Sequence, residues 1–176
     1  MLGSAPADEA AIGSVMSSYE AALNASNTDA VMPLYAEDGV FMAPNNQSAV
    51  GKAAVRRAYD AVFKAITLKV KFTIAELVVI SPQWAFVRTN SAGTQKINAT
   101  GATSAEANQE LFIFKKSDDG RWQIARYSFS PPIRCKAVDG DGRLGGRLPA
   151  IWRHLFKPET TTSKAVSTER MVDICP

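Results

Sequence analysis

The chain has 176 residues, 46% apolar and 21% charged, which suits one soluble globular domain with an appendage rather than two comfortable domains. Its net charge of +3 is unevenly spread: residues 1–132 carry 12 basic and 12 acidic side chains, whereas 133–176 carry 8 and 5. A neutral body with a mildly basic tail lacks the clustered basic face that nucleic-acid binding needs, and no apolar run reaches the roughly 18 residues of a membrane span.

Residues 8–24 are predicted to form a helix. Ile12, Val15, Met16, Tyr19, Ala22 and Leu23 keep the 3, 4, 7 spacing of one buried stripe, and Asp8 and Glu9 suit the positive end of its dipole. Asn24 to Asn27 ends it, and Thr28 is placed to cap a short second helix turning Val31, Leu34 and Tyr35 inward. Asp38-Gly39 reads as a turn, and "VFMAP" as a brief strand halted by Pro44. Gly51 opens a third helix with Val55, Ala58, Tyr59, Val62 and Phe63 on one face.

The period then changes from 3.6 to 2. "LKVKFTI" (68–74), "WAFVRTN" (84–90), "NQELFIF" (108–114) and "WQIARYSF" (122–129) are predicted strands, with the polar run 93–105 at the tip of a long hairpin and Asp119-Gly120 as a tight turn. Helices followed by an antiparallel meander indicate an α+β fold. Such a sheet curls as a cone around three N-terminal helices and leaves a cavity wherever side chains fail to fill it. Residues 1–7 are expected to be an extension, 8–132 the folded domain, and 133–176 a mostly extended or disordered tail.

Motifs in the tail carry little chemistry. "GDGRLG" (140–145) has no strand before it and Pro149 soon after, so it does not read as a phosphate loop. "DGDG" fails as a calcium loop because its twelfth position is Ala150. The single histidine, His154, also lies there, which removes Ser-His-Asp, Cys-His and multi-histidine metal devices from the body. Cys135 and Cys175 fall in the tail too, so no disulfide framework supports the domain. Residues 1–20 lack a basic start followed by an apolar core, so a cytoplasmic location is expected. The Asn-x-Ser/Thr triplets at Asn24, Asn46 and Asn98 then read as chance matches.

Strand alternation nominates an inner face. Glu110 and Asn108 share a side with Phe112; Arg88 and Asn90 are assigned the side of Phe86; Ala125, Tyr127 and Phe129 are grouped together. With Tyr19 and Tyr59 on buried stripes and Met42 beside them, this gives phenols, a carboxylate, a guanidinium and amides facing one interior. Two readings follow: a ligand-binding cavity, or a buried Arg88–Glu110 ion pair that fixes the sheet. The opposite face, bearing Trp122 and Ile124, is expected to self-associate.

At this point the chain resembles the nuclear transport factor 2-like superfamily, among SnoaL-like and ketosteroid-isomerase-like domains of the SgcJ/EcaC type. The resemblance spans about residues 10–131 and rests on "YEAALNASNTDAVMPLYAEDGVFMAP", "GKAAVRRAY" and "DGRWQIARYSFS" in that order. It implies a cone of curved sheet and three helices, paired into homodimers through the sheet. In ketosteroid isomerase a general-base Asp works with an oxyanion hole made of a Tyr and a protonated Asp. The resemblance puts Tyr19 at the oxyanion tyrosine, Tyr59 at a supporting tyrosine and Glu110 at the protonated acid. The base precedes the first strand's proline, and here that residue is Ala43. Ketosteroid isomerisation is therefore not expected.

Two functions remain open at this level. One is a cofactor- and metal-independent isomerase, cyclase or hydratase with Glu110 as acid or base, Tyr19 and Tyr59 as donors to an oxyanion, and Arg88 orienting a polar substrate. The other is a ligand-binding or homo-association module without chemistry.

Overall fold

The computed structural model describes residues 5–132; the expected tail at 133–176 and residues 1–4 of the expected extension lie outside the described residues. The apolar stripe of the first segment forms α1 (Ala5–Asn24), burying Ile12, Met16, Tyr19, Ala22 and Leu23. It ends where Ser26 adopts a left-handed conformation and the Asn27 amide reaches back to the Ala22 carbonyl, closing the last turn. Asn27, rather than Thr28, caps α2 (Thr28–Val31), its side chain accepting from the Ala30 amide at 3.0 Å. A 3-10 turn over Met32–Leu34, opened by Pro33, delivers the chain to β1 (Tyr35–Met42). The short β2 (Ala49–Val50), which carries no sequence signal of its own, precedes α3 (Lys52–Ala65).

Four long strands follow: β3 (Ile66–Ser81), β4 (Trp84–Ile97), β5 (Thr103–Lys116) and β6 (Trp122–Ser130). They pair as an antiparallel meander within a curved, unclosed six-stranded sheet of order β2-β1-β6-β5-β4-β3. One pair departs from the antiparallel expectation: β1 lies parallel to β6. Turn chemistry specifies only strands joined by hairpins, and these two are separated by most of the domain. Asp38-Gly39 is no turn either. It falls in an irregular stretch of β1 between Tyr35 and Val40, where the strand loses register with β6 and turns Glu37 and Asp38 to solvent.

The sheet bends where β3 crosses Gly93 of β4. A Cβ there would lie 2.0 Å from the Lys69 carbonyl oxygen and 2.8 Å from Val70 Cα, so only glycine permits the approach. Helix α1 covers part of the exposed edge of β3. Asn24 pairs with both backbone groups of Val70, each at 2.8 Å, and the Glu20 carboxylate accepts from the Phe72 amide at 2.8 Å. These bonds answer backbone groups that an edge strand leaves unpaired. The other end of α1 is pinned by Asp8, whose Oδ1 accepts from Lys116 Nζ (2.6 Å) and Trp122 Nε1 (2.9 Å).

The core forms between α1, α3 and the concave face of the sheet. Ile12, Val55, Tyr35, Val87, Phe112, Phe114 and Ile124 are fully enclosed, and each large apolar side chain there contributes about 1.5–3 kcal/mol. Trp122 and Ile124 belong to this core, which corrects their expected place on the outer face. The cause is a β-bulge. Ile113 pairs with Arg126 but Phe114 pairs with Ile124, so Ala125 is an extra residue and alternation changes sense across it.

Candidate functional site

Strand register places the concave side chains in transverse rows. One row runs Phe41, Tyr127, Phe112, Val87 and Leu77 across β1, β6, β5, β4 and β3. The next holds Phe129, Glu110, Thr89 and Ile74, with Ala43 following β1 beside it. Beyond lie Asn108, Ser91 and Phe72, then Glu106, Gly93 and Val70. The concave face therefore passes from aromatic to polar along the strands.

Glu110 is on this face, as alternation predicts, and is 4% exposed. Among the described residues it has no ionic partner. Thr89 Oγ1 donates to one carboxylate oxygen at 2.6 Å and Ser91 Oγ donates to the other. Burial pushes the Glu110 carboxyl above its ordinary range, the two hydroxyl bonds pull it back, and the neighbouring Glu106 charge adds a smaller upward push. Asn108 shares the face and donates to Glu106 Oε1 at 2.9 Å.

Arg88, Asn90, Phe86 and Met42 do not reach this face, correcting four expected site positions. Inner positions of β4 are Ala85, Val87, Thr89 and Ser91, so Phe86, Arg88 and Asn90 point to the convex side. Arg88 Nε donates to Glu76 at 2.7 Å there, with both side chains exposed, and the anticipated Arg88–Glu110 ion pair is replaced by hydroxyls. Met42 lies in the convex row of Ser128, Leu111 and Arg88. Strand β4 misleads because both of its faces are apolar: the larger Trp84 and Phe86 lie outside, while the small Ala85 and Val87 are the buried pair.

Over the aromatic rows stands a trio of hydroxyls. Tyr19 and Tyr59 oxygens are 2.6 Å apart, and Tyr35 reaches Tyr59 at 2.9 Å. Sequence reasoning placed Tyr35 inward but gave it no role; its long-range bond has no local signature. Burial raises the Tyr19, Tyr59, Tyr35 and Tyr127 phenols well above their ordinary range, so all stay protonated near neutrality. Three hydroxyls hold three protons, and two mutual bonds use two of them. One proton is left over, and when Tyr35 donates to Tyr59 and Tyr59 to Tyr19 it is the Tyr19 proton. At the Tyr19 end the ring meets Phe72, Phe112 and Tyr127, with centroids 5.9, 5.4 and 5.6 Å away, in rows flanking Glu110. Phe41, Tyr127 and Phe129 form a nearly parallel array beside them.

The arrangement offers hydrogen-bond donors and an elevated carboxyl beside flat aromatic surfaces. No group of three or more His, Cys, Asp or Glu side chains that could hold a metal occurs among the described residues. None of their helices is long and apolar enough to cross a membrane.

This curved sheet with an aromatic, tyrosine-bearing concave face defines an α+β domain with the cystatin-like and nuclear transport factor 2-like fold. The SnoaL-like domain family model matches residues 16–125, and the chain belongs to that family. It is similar to a ketosteroid isomerase-like protein of Erwinia carotovora atroseptica, with 38% identity, 71% of this chain and 96% of that one covered, and a TM-score of 0.68. An NTF-2-like protein of unknown function from Shewanella oneidensis shares the fold at 23% identity, covering 70% and 98%, with a TM-score of 0.56. A scytalone dehydratase-like protein of Novosphingobium aromaticivorans shares it at 18% identity, covering 78% and 95%, with a TM-score of 0.63. Comparison with curated proteins gives no match.

Proposed function

We propose that the concave face binds a small, largely apolar, oxygenated molecule and acts on it by acid-assisted chemistry without a cofactor, as an isomerase, cyclase or hydratase. The observation that carries this reading is the Tyr35–Tyr59–Tyr19 hydroxyl chain with its surplus proton. Tyr19 donates to the ligand's oxygen, Tyr59 and Tyr35 support it, and Glu110 in its protonated form supplies the acid. Phe112, Tyr127 and Phe129 hold the apolar body, and Asn108 contacts its polar end. Donors aimed where negative charge develops are a strong source of rate enhancement in a water-poor site.

The methyl group of Ala43 cannot take a proton from carbon, so relocation of a C–H proton by the ketosteroid isomerase route is not part of the proposal. Turnover of a panel of enones, epoxides and polyketide-like aromatics, compared between wild type and Glu110→Gln, tests it. Activity that survives Glu110→Gln unchanged removes Glu110 as the acid. Binding without turnover by the wild type leaves a ligand-binding module instead.

A second reading, homo-association through the sheet, is favoured by a different observation. The convex face carries Trp84, Leu111 and Val78 as exposed large apolar side chains, with half-buried Phe86 and Ile113 among them. Contiguous exposed apolar surface of this kind marks interfaces. The two readings are compatible because they use opposite faces.

A further inference from the structure

The concave face presents carboxylates and, among the described residues, no cation. Every lysine and arginine among the described residues is exposed, or is engaged away from the polar rows. Lys69, Lys71, Arg88, Lys96 and Lys115 occupy outward positions of the strands, Lys116 is held by Asp8, and Arg126 donates to the Asp38 and Ala125 carbonyls. The polar rows themselves hold acceptors: Glu106, Glu110, Asn108 and, one row further, Gln95. Gln95 is 4% exposed, and its Oε1 is buried without a hydrogen-bond partner among the described residues, which leaves an acceptor in need of a donor. Glu106 is half-buried, and among the described residues its one hydrogen bond comes from Asn108.

Resting on the ligand-binding reading above, we infer that the concave face selects a protonated amine carried on a flat apolar body, with Glu106 as its counter-ion. The Phe41, Tyr127 and Phe129 array offers flat apolar surface for the body of such a ligand at the other end of the same face. Glu106 and Glu110 are four residues apart on one strand face, about 13 Å of backbone. The ligand thus places its oxygen at Tyr19 and Glu110 and its amine toward Glu106. A carboxylate in the same place would meet Glu106 and, among the described residues, no cation, which costs affinity by repulsion and desolvation. Burial raises the Glu106 carboxyl above its ordinary range, and a bound ammonium favours its ionised form.

The test uses three probes of one shape: 2-(1-naphthyl)ethylammonium, 1-propylnaphthalene and 3-(1-naphthyl)propionate, titrated into the full chain at pH 7.5. The amine should bind at least tenfold more tightly than the carboxylate. Glu106→Gln keeps the acceptor for Asn108; it should bring that ratio close to one while leaving propylnaphthalene affinity and the melting temperature unchanged. Equal or tighter binding of the carboxylate, or an amine preference that survives Glu106→Gln, overturns the inference and leaves the ligand-binding reading intact. Failure of the amine to bind also overturns the inference, and the ligand-binding reading then stands or falls on the oxygenated panel above.

Discussion

Arg88 and Glu110 stand on opposite faces of the sheet, although their strands are neighbours and Arg88 pairs in register with Leu111. Each has its own partner, Glu76 outside and the Thr89 and Ser91 hydroxyls inside. This relationship separates stability from chemistry at Glu110. Glu110→Gln offers an amide oxygen to one hydroxyl and an N–H to the other, so the expected cost is about 1 kcal/mol, well below that of stranding a buried ion. The sign of its pH dependence follows from the raised carboxyl. The wild type loses stability as pH rises from the unfolded value, about 4.3, through the higher folded one, and the amide does not. Urea unfolding should show the variant's deficit at pH 4 shrinking by pH 7. A deficit of several kcal/mol that grows with pH would mean that Glu110 is ion-paired.

Asp8 should show the opposite dependence. Hydrogen bonds from Lys116 and Trp122 hold its carboxyl below the ordinary range. Its contribution is therefore present above about pH 4 and is lost as pH falls through the folded value. Asp8→Ala leaves the indole N–H and the ammonium without their acceptor at the helix start, at a cost of about 1–3 kcal/mol near neutrality. The difference from wild type in urea unfolding should narrow below pH 3.

In the tyrosine chain the central position should matter most for stability. Tyr59→Phe removes both hydroxyl bonds and leaves Tyr19 and Tyr35 without their shared partner, whereas Tyr35→Phe removes one. With about 1–3 kcal/mol for each buried polar group left unpaired, Tyr59→Phe is expected to be the more destabilising in thermal melts.

On the convex face, Phe86→Asp places a charge at the centre of the apolar patch without entering the core. Light scattering should report a dimer for the wild type and a monomer for the variant, with the same circular dichroism. A monomeric wild type at micromolar concentration would end the association reading.

How much was legible in the sequence depends on which face each strand hides. In β5 only one face alternates cleanly, and that alternation puts Glu110, Phe112 and Asn108 on the inner side, where the structure has them. In β4 apolar residues occupy both faces, and ring size pointed to the wrong one. In β6 the bulge at Ala125 inverts the pattern part-way, so strict alternation reads Tyr127 and Phe129 as inward, which they are, but Trp122 and Ile124 as outward, which they are not. Helix periodicity gave Tyr19 and Tyr59 their buried stripes because it is local. The Tyr35–Tyr59 bond and the parallel β1–β6 pair are not local, and neither has a turn or a spacing that announces it.

The central claim is that Tyr19 and the Glu110 carboxyl donate to the oxygen of a bound ligand. The most direct measurement is the infrared carbonyl stretch of a carbon-13-labelled bicyclic enone bound to the full chain, in wild type, Tyr19→Phe and Glu110→Gln. The account predicts a stretch shifted below its value in water, with part of the shift lost in each variant. A bound carbonyl with the frequency it has in hydrocarbon, or a shift that both variants retain in full, would contradict it.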